Sequence, residues 1–301
     1  MTARGIDLVD TQRYPIRDLR SPHALALVAR CREEMRADGS LLLEGFIREE
    51  CVAPMCRAVG DLPSHRRLEI VEIMRSAHMT NKRLYDTPGG LPADHPLLYK
   101  TPQDVHAVAS DLIPRASMLR SVYDSPEVIA FLAAVNGQER IHQYADEFQA
   151  LNVMYMKDGG SRAWHYDGSD YVVTLLLQTA DEGGEFEFAP FIRGDAAGDE
   201  RFEHVKKLFA GEWPTKTTRG KAGALAVFNG RRSLHRVRAV FGKTSRIVSV
   251  LSYARTPGER GSPEKNVQLY GQRVAKIYEE RGVTLNRAAD GTVTPVPQAR
   301  L

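Results

Sequence analysis

Long apolar runs are missing from this chain. No stretch reaches the ~18 apolar residues that a membrane span takes, and no apolar run follows the opening MTARGIDLVD. Neither a transmembrane helix nor a secretory signal is expected. Cysteine is scarce. Cys31, Cys51 and Cys56 are odd in number, sit in an apolar helical pattern and have no His or Cys at metal-ligand spacing. That excludes a disulfide framework and a structural zinc site, and it points to a reducing, cytoplasmic setting. An excess of one charge is lacking too. The 41 Lys and Arg stand against 38 Asp and Glu, scattered in mixed runs such as REEMRADG, so no segment carries the basic stripe of a nucleic-acid binder. No internal repeat or low-complexity block appears.

What is present divides into a helical first part and a stranded second part. Residues 23–37 read as an amphipathic helix, GSLLLEGF as a turn and short strand, and REECVAPMCRAV as a second helix that Pro54 shortens or kinks. A longer helix is expected across 64–84. The Pro- and Gly-rich loop TPGGLPADHP follows and is expected to cross the surface near a site mouth. Helices are expected around 102–122 and 126–135. From 138 the period changes to two, with strands at 140–146, 148–156, 171–179, 184–188, 223–229, 234–240 and 246–254. An insert at 195–219 carries a short helix, SPEKNVQLYGQRVAKIYEERG reads as a final helix, and RAADGTVTPVPQARL as a loose tail. Seven glycine-punctuated strands preceded by packing helices suit an α+β chain built on a double-stranded β-helix, the jelly-roll barrel. The 301 residues can bury a sizeable core, and we read them as one domain. Its parts are a helical cover (1–137), a jelly-roll core (138–256) and a C-terminal helix and tail (257–301).

The chemistry concentrates in four residues. His165 and Asp167, in SRAWHYDGSDYVVTLLLQ, lie at i and i+2, so a strand end projects both to one side. His235, in GALAVFNGRRSLHRV, offers a third ligand from a distant strand. Two imidazoles and one carboxylate on one face leave the opposite coordination positions open, which is the facial triad of non-heme Fe(II) oxygenases. Eleven residues after His235, Arg246 opens the alternating run RIVSVLSY. A planar guanidinium one strand away from a metal suits the distal carboxylate of a small dicarboxylic cosubstrate. The other histidines, His23, His65, His78, His95, His106, His142 and His204, have no such company and read as ordinary core or surface residues.

These residues resemble the signature of the 2-oxoglutarate-dependent Fe(II) dioxygenases. The runs WHYDGSDYVVTLLLQ, EGGEFEFAP, NGRRSLHRV, LSYARTPG and QLYGQR narrow the resemblance to the bacterial group of free-amino-acid hydroxylases and radical halogenases of lysine-type amino acids, over residues 140–275. The resemblance implies Fe(II), 2-oxoglutarate and O2 as cofactor and cosubstrates, with succinate and CO2 released and a C–H bond hydroxylated. It departs at Val248, where the wider family often has a serine that contacts the cosubstrate. Halogenases of the group have a small residue at the position of Asp167, which leaves room for chloride. With Asp167 in place, hydroxylation is the expected reaction.

A free amino acid needs a cation for its carboxylate and acceptors for its ammonium. Arg162, three residues before His165, is the candidate cation. Asp170 is a candidate for the ammonium, with Glu147 and Glu187 as alternatives. Ser252, Trp164, Asn229 and Tyr270 are candidate pocket residues, and Tyr155 a candidate for the cosubstrate pocket. The expected partner is a small molecule, an amino acid, with neither nucleic acid nor membrane; the chain is compatible with a homodimer. Two other classes stay open at this point, a non-redox hydrolase or isomerase with zinc in the same three ligands and a binding protein that has lost turnover. Arg246 argues against the hydrolase, which needs no second anion site there.

Overall fold

The computed structural model describes residues 4–72, 91–168, 172–196 and 198–293. The chain runs α1 (Pro22–Asp38), β1 (Ser40–Leu43), α2 (Glu49–Gly60), β2 (His65–Glu72), β3 (Lys100–Val108), α3 (Met118–Tyr123) and α4 (Pro126–Val135). The strands β4 (His142–Gln143), β5 (Leu151–Met156), β6 (Arg162–His165), β7 (Val172–Gln178), β8 (Glu182–Gly183) and β9 (Phe186–Ala189) follow, then α5 (Phe202–Phe209). The last stretch holds β10 (Lys216–Thr218), β11 (Leu225–Phe228), β12 (Leu234–Val237), β13 (Val240–Phe241), β14 (Arg246–Leu251), β15 (Tyr253–Ala254), α6 (Pro263–Tyr270) and α7 (Gln272–Glu280). Helix starts carry the expected caps: the Ser21, Ser125 and Ser262 hydroxyls each accept from the backbone N–H three residues on, with proline at the first helical position.

Two antiparallel sheets face each other. The major sheet has the order β1-β11-β7-β14-β5-β3-β2 and the minor sheet β10-β9-β12-β6, the arrangement of a double-stranded β-helix. Alternation decides which side chains meet in the space between them. Odd-numbered residues of the central strands, such as Val153, Tyr155, Val173, Leu175, Leu177, Ile247 and Leu251, bury against α1 to α4. Even-numbered ones, Met156, Leu176 and Val248, turn inward with Val105, Val237 and Val240. The outer face of the minor sheet is closed separately, by Trp164, Tyr166 and Leu234 packing on Val205 and Leu208 of α5.

The first part is less helical than its sequence suggests. Residues 65–72 of the expected helix at 64–84 form β2, and residues 73–84 lie outside the described residues, as do the first four residues of the TPGGLPADHP loop. Residues 100–108 form β3, which pairs with all of β2. The physical reason is an inverted pattern. In β2 the buried Arg67 and the half-buried Glu69 face inward while Leu68 is 67% exposed, because this end of the barrel interior is polar. The expected final helix is two helices. Gly271 separates them at φ 76°, and a Cβ there would sit 2.5 Å from His65 Nδ1, so only glycine fits. No described helix is long and apolar enough to cross a membrane.

Candidate metal centre

β6 and β12 are neighbours in the minor sheet, and their register sets His165 directly opposite His235. The two rings are 4.1 Å apart. Each Nδ1–H donates to a backbone carbonyl two residues earlier, His165 to Ala163 at 2.7 Å and His235 to Ser233 at 2.9 Å. A carbonyl can only accept, so these bonds fix the tautomer and leave both Nε2 atoms as lone-pair donors. They point at one carboxylate: His165 Nε2 is 3.5 Å from Asp167 Oδ1 and His235 Nε2 is 3.1 Å from Asp167 Oδ2. Burial pushes the His165 imidazole down to about 3, and the nearby Arg162 and His235 add to this. A neutral His165 and an ionised Asp167 thus turn lone pairs toward each other. Three ligand atoms within 4.8 Å of one another, mutually repulsive without a cation and satisfied by one, fit a divalent metal.

Asp167 is held by a contact that spacing did not reveal. Its N–H donates to Gly230 O at 2.9 Å. A Cβ on Gly230 would lie 1.7 Å from Asp167 Oδ2, so this position admits no side chain while the carboxylate stays where it is. Phe228 and Phe186 stand at 4.8 Å and 5.5 Å from the His235 ring and form an apolar wall. Asn229, next to Gly230, has a buried Oδ1 with no partner among the described residues.

Arg246 opens β14 on the inward face, beside Gly184, where a Cβ would approach its Cδ to 3.0 Å. Its neighbours on that face, Val248 and Val240, are apolar. Burial pushes its guanidinium down to about 10, which still leaves it charged at neutral pH. Its Nη1 is buried and has no hydrogen-bond partner among the described residues. A buried guanidinium nitrogen without an acceptor is costly, and an anion delivered into this pocket removes the cost.

Arg162 reaches the interior through an irregularity. Three residues before His165, it should face the other way, but the β6–β12 register slips between His235↔His165 and Val237↔Arg162. The extra residue turns Arg162 to the side of His165 and Val237. Its Nη1 donates to Gln103 Oε1, Gln103 Nε2 donates to Glu69 Oε1 at 2.5 Å, and Arg67 Nη2 donates to the same Glu69 oxygen. Burial, with Arg67 nearby, pushes Arg162 down to about 9. Lys265 of α6 stands near both arginines on the exposed side of the helix, where its ammonium donates to Gln268 Oε1 at 3.2 Å. The sequence pointed to Arg162; Arg67, Glu69, Gln103 and Lys265 were invisible until β2, β3 and α6 came together.

Several expected site residues lie elsewhere. Tyr155 is on the helix-covered face, and its hydroxyl donates to Val59 O of α2. Trp164 has the opposite parity to His165 and faces α5, under the Arg236 guanidinium. The Ser252 hydroxyl donates to Gln149 O at 2.7 Å, because the strand breaks between β14 and β15 and parity from Arg246 no longer holds. Tyr270 is buried with Phe148, Val267 and Val274 under the C-terminal helices. Glu147 pairs with Arg281 on the surface. Glu187 is buried on the outer side of β9, paired with Arg236 at 2.7 Å and Arg238 at 2.9 Å. Asp170 lies outside the described residues.

A family model described as Halogenase D matches residues 96–268, over half of the chain and including all three candidate ligands. The chain belongs to the halogenase D family. Solved structures agree on the fold. An oxidoreductase of the 2OG-Fe(II) oxygenase family from Burkholderia pseudomallei matches with a TM-score of 0.50 at 15% identity, over 77% of this chain and 92% of its own. The α-ketoglutarate-dependent epimerase SnoN of nogalamycin biosynthesis matches with a TM-score of 0.51 at 16% identity, over 76% and 81%. The carbocyclase SnoK of the same biosynthesis reaches 0.50 at 14%, over 75% and 83%. No curated protein matches the chain. This halogenase D relative thus has the fold of Fe(II)/2-oxoglutarate-dependent oxygenases, and it carries a carboxylate, Asp167, among its three candidate ligands.

Proposed function

We propose that this protein is an Fe(II)- and 2-oxoglutarate-dependent hydroxylase of a free amino acid or close derivative, working as one domain. The observation that carries the reading is a pair of complementary charge demands on the two facing sheets. His165, Asp167 and His235 converge three lone-pair donors that call for a cation, and Arg246 has a buried Nη1 without an acceptor among the described residues, which calls for an anion. A metal-bound dicarboxylate answers both. In this assignment His165, Asp167 and His235 hold the iron, and Arg246 takes the distal carboxylate of the cosubstrate through a charge-assisted fork. Iron, 2-oxoglutarate and O2 supply the oxidising chemistry, with succinate and CO2 as co-products. Val248 offers no second polar contact, so Arg246 carries that recognition alone on its strand.

Asp167 decides between outcomes. Its carboxylate fills the ligand position that a halide needs, and Gly230 is shaped to leave it there, which favours hydroxylation in spite of the family's name. A zinc hydrolase on the same ligands leaves the buried Arg246 unexplained. For the substrate, Arg162 with Arg67 and Lys265 forms a cationic corner suited to a carboxylate, and Asn229 Oδ1 is an acceptor for an ammonium. The three free cysteines suit a cytoplasmic enzyme. The test is a panel of amino acids incubated with protein, Fe(II), 2-oxoglutarate and O2. An oxygen-atom mass gain on one of them, lost on Arg162→Ala at equal 2-oxoglutarate affinity, is expected; chlorination in place of oxygen insertion at high chloride would overturn the assignment of Asp167.

A further inference from the structure

Behind the metal centre, on the outer side of the minor sheet, lies a buried ion pair with no obvious use. Arg193 and Glu200 are 5% and 6% exposed, with Nε 2.8 Å from Oε2. Burial pushes the Glu200 carboxyl up against the pull of Arg193. Such a pair is weak evidence for stability, since desolvation of both charges offsets their attraction. Its position is more telling. The Arg193 guanidinium lies 3.6 Å from the centroid of the Tyr166 ring, and Tyr166 is the residue between the candidate ligands His165 and Asp167. The Tyr166 hydroxyl is buried with no partner among the described residues, so the ring face is its working surface.

The same arginine grips the other ligand segment. Arg193 Nη1 donates to Arg231 O at 3.2 Å and its backbone N–H to Arg232 O at 2.9 Å. That loop starts at Gly230, which accepts from Asp167 N–H, and ends at Ser233, whose carbonyl fixes His235. Ser233 Oγ in turn accepts from Phe191 N–H at 3.0 Å. One side chain, reached from the turn after β9, thus ties His165–Asp167 to the segment leading into His235 from the side away from the pocket.

We infer that Arg193 is a positioning residue for the metal centre, a rivet that holds the two ligand-bearing segments in mutual register through the Tyr166 ring and the Arg231 carbonyl, with Glu200 balancing its buried charge. This rests on the metal-centre reading above and adds what preorganises it. Lysine cannot replace arginine here, because a point charge cannot both stack on the ring and reach the carbonyl.

The experiment uses Co(II) as a redox-inert probe of the full chain, titrated by its visible absorption, with the thermal midpoint of each apo protein measured beside it. The variant is Arg193→Met with Glu200→Gln, which removes both buried charges together. It should keep its apo midpoint within a few degrees and bind Co(II) ~10- to 100-fold more weakly, the range for loss of a residue supporting a ligand. Tyr166→Leu should weaken Co(II) similarly, while Tyr166→Phe, which keeps the ring, should bind as wild type. If the double variant fails to fold, the Tyr166 pair decides alone. Wild-type Co(II) affinity in the folded double variant, or in Tyr166→Leu, overturns the inference. Absence of Co(II) binding by wild type, or its survival in His235→Ala, sinks the metal-centre reading instead, so the two failures are distinguishable.

Discussion

Gly230→Ala should disable the metal centre without touching a ligand. The added Cβ would sit 1.7 Å from Asp167 Oδ2, 2.6 Å from its Cγ and 2.8 Å from its Cβ, whereas ordinary contact begins near 3.4 Å. The φ of Gly230 is not in the left-handed region, so alanine fits the backbone and the cost falls on this one contact. Nor can the strands slide apart cheaply, because Asp167 N–H is bonded to Gly230 O. Rotation of the carboxylate relieves Oδ2 and Cγ but not the approach to Asp167 Cβ, so the Asp167 backbone must shift as well, and the carboxylate oxygen has to retreat by roughly 1.7 Å against a tolerance of about 0.2 Å in metal–ligand distance. Loss of that ligand should weaken Co(II) or Fe(II) binding by at least ~10- to 100-fold, or about 1.4–2.8 kcal/mol. The control is Asp167→Gly, in which Gly230→Ala should cost nothing further, since the partner of the clash is gone. Calorimetric or spectroscopic metal titration of the four proteins checks this. Wild-type affinity in Gly230→Ala would refute the reasoning.

Arg246→Ala should raise the 2-oxoglutarate requirement ~30- to 1000-fold, because a charge-assisted buried contact is worth on the order of 2–4 kcal/mol, and Arg246→Lys should rescue it only in part; an unchanged requirement would mean that another cation binds the cosubstrate. Tyr155→Phe removes the hydroxyl's bond to Val59 O, which still accepts from Leu62 N–H, and should cost ~1 kcal/mol of stability with the cosubstrate requirement unchanged, as denaturant melts and steady-state assays will show. The Glu187 carboxyl, which burial would raise, is held down to about 2 by Arg238 and Arg236. A depressed carboxylate contributes stability above its unfolded value of 4.5 that is lost as the pH falls from there toward 2. With both arginines more than a third exposed, the contribution is discounted to ~1–2 kcal/mol. Glu187→Gln should therefore lower the unfolding midpoint at pH 7 and make no difference near pH 2, with substrate KM unaltered; a large rise in KM would restore Glu187 to the pocket.

The four residues of the signature were legible because strand alternation is local. Two positions apart puts His165 and Asp167 on one side, and an apolar run beginning at Arg246 announces its own strand. The strands around them were legible for the same reason: apart from Ser249, the odd positions of β5, β7 and β14 are apolar toward the helices. β2 and β3 were not, since the interior there is charged and the alternation runs backwards, with Leu68 outside and Arg67 and Glu69 inside. Parity also misplaced single residues. Trp164 turns away because it neighbours His165, Ser252 is cut off by the break after Leu251, and Arg162 enters the pocket only because a bulge adds one residue to β6. Gly230 and Arg193 act through contacts made across loops distant in sequence, and nothing in their local text marks them.

The most direct measurement is O2-dependent conversion of 2-oxoglutarate to succinate by the Fe(II)-loaded protein, followed with the amino-acid panel present and absent. The account predicts succinate formation by wild type, stimulated by a substrate amino acid, abolished in His165→Ala and His235→Ala, and recovered in Arg246→Ala only at greatly raised 2-oxoglutarate. Undiminished succinate formation in His235→Ala, or none by wild type under any condition while iron is bound, would contradict it.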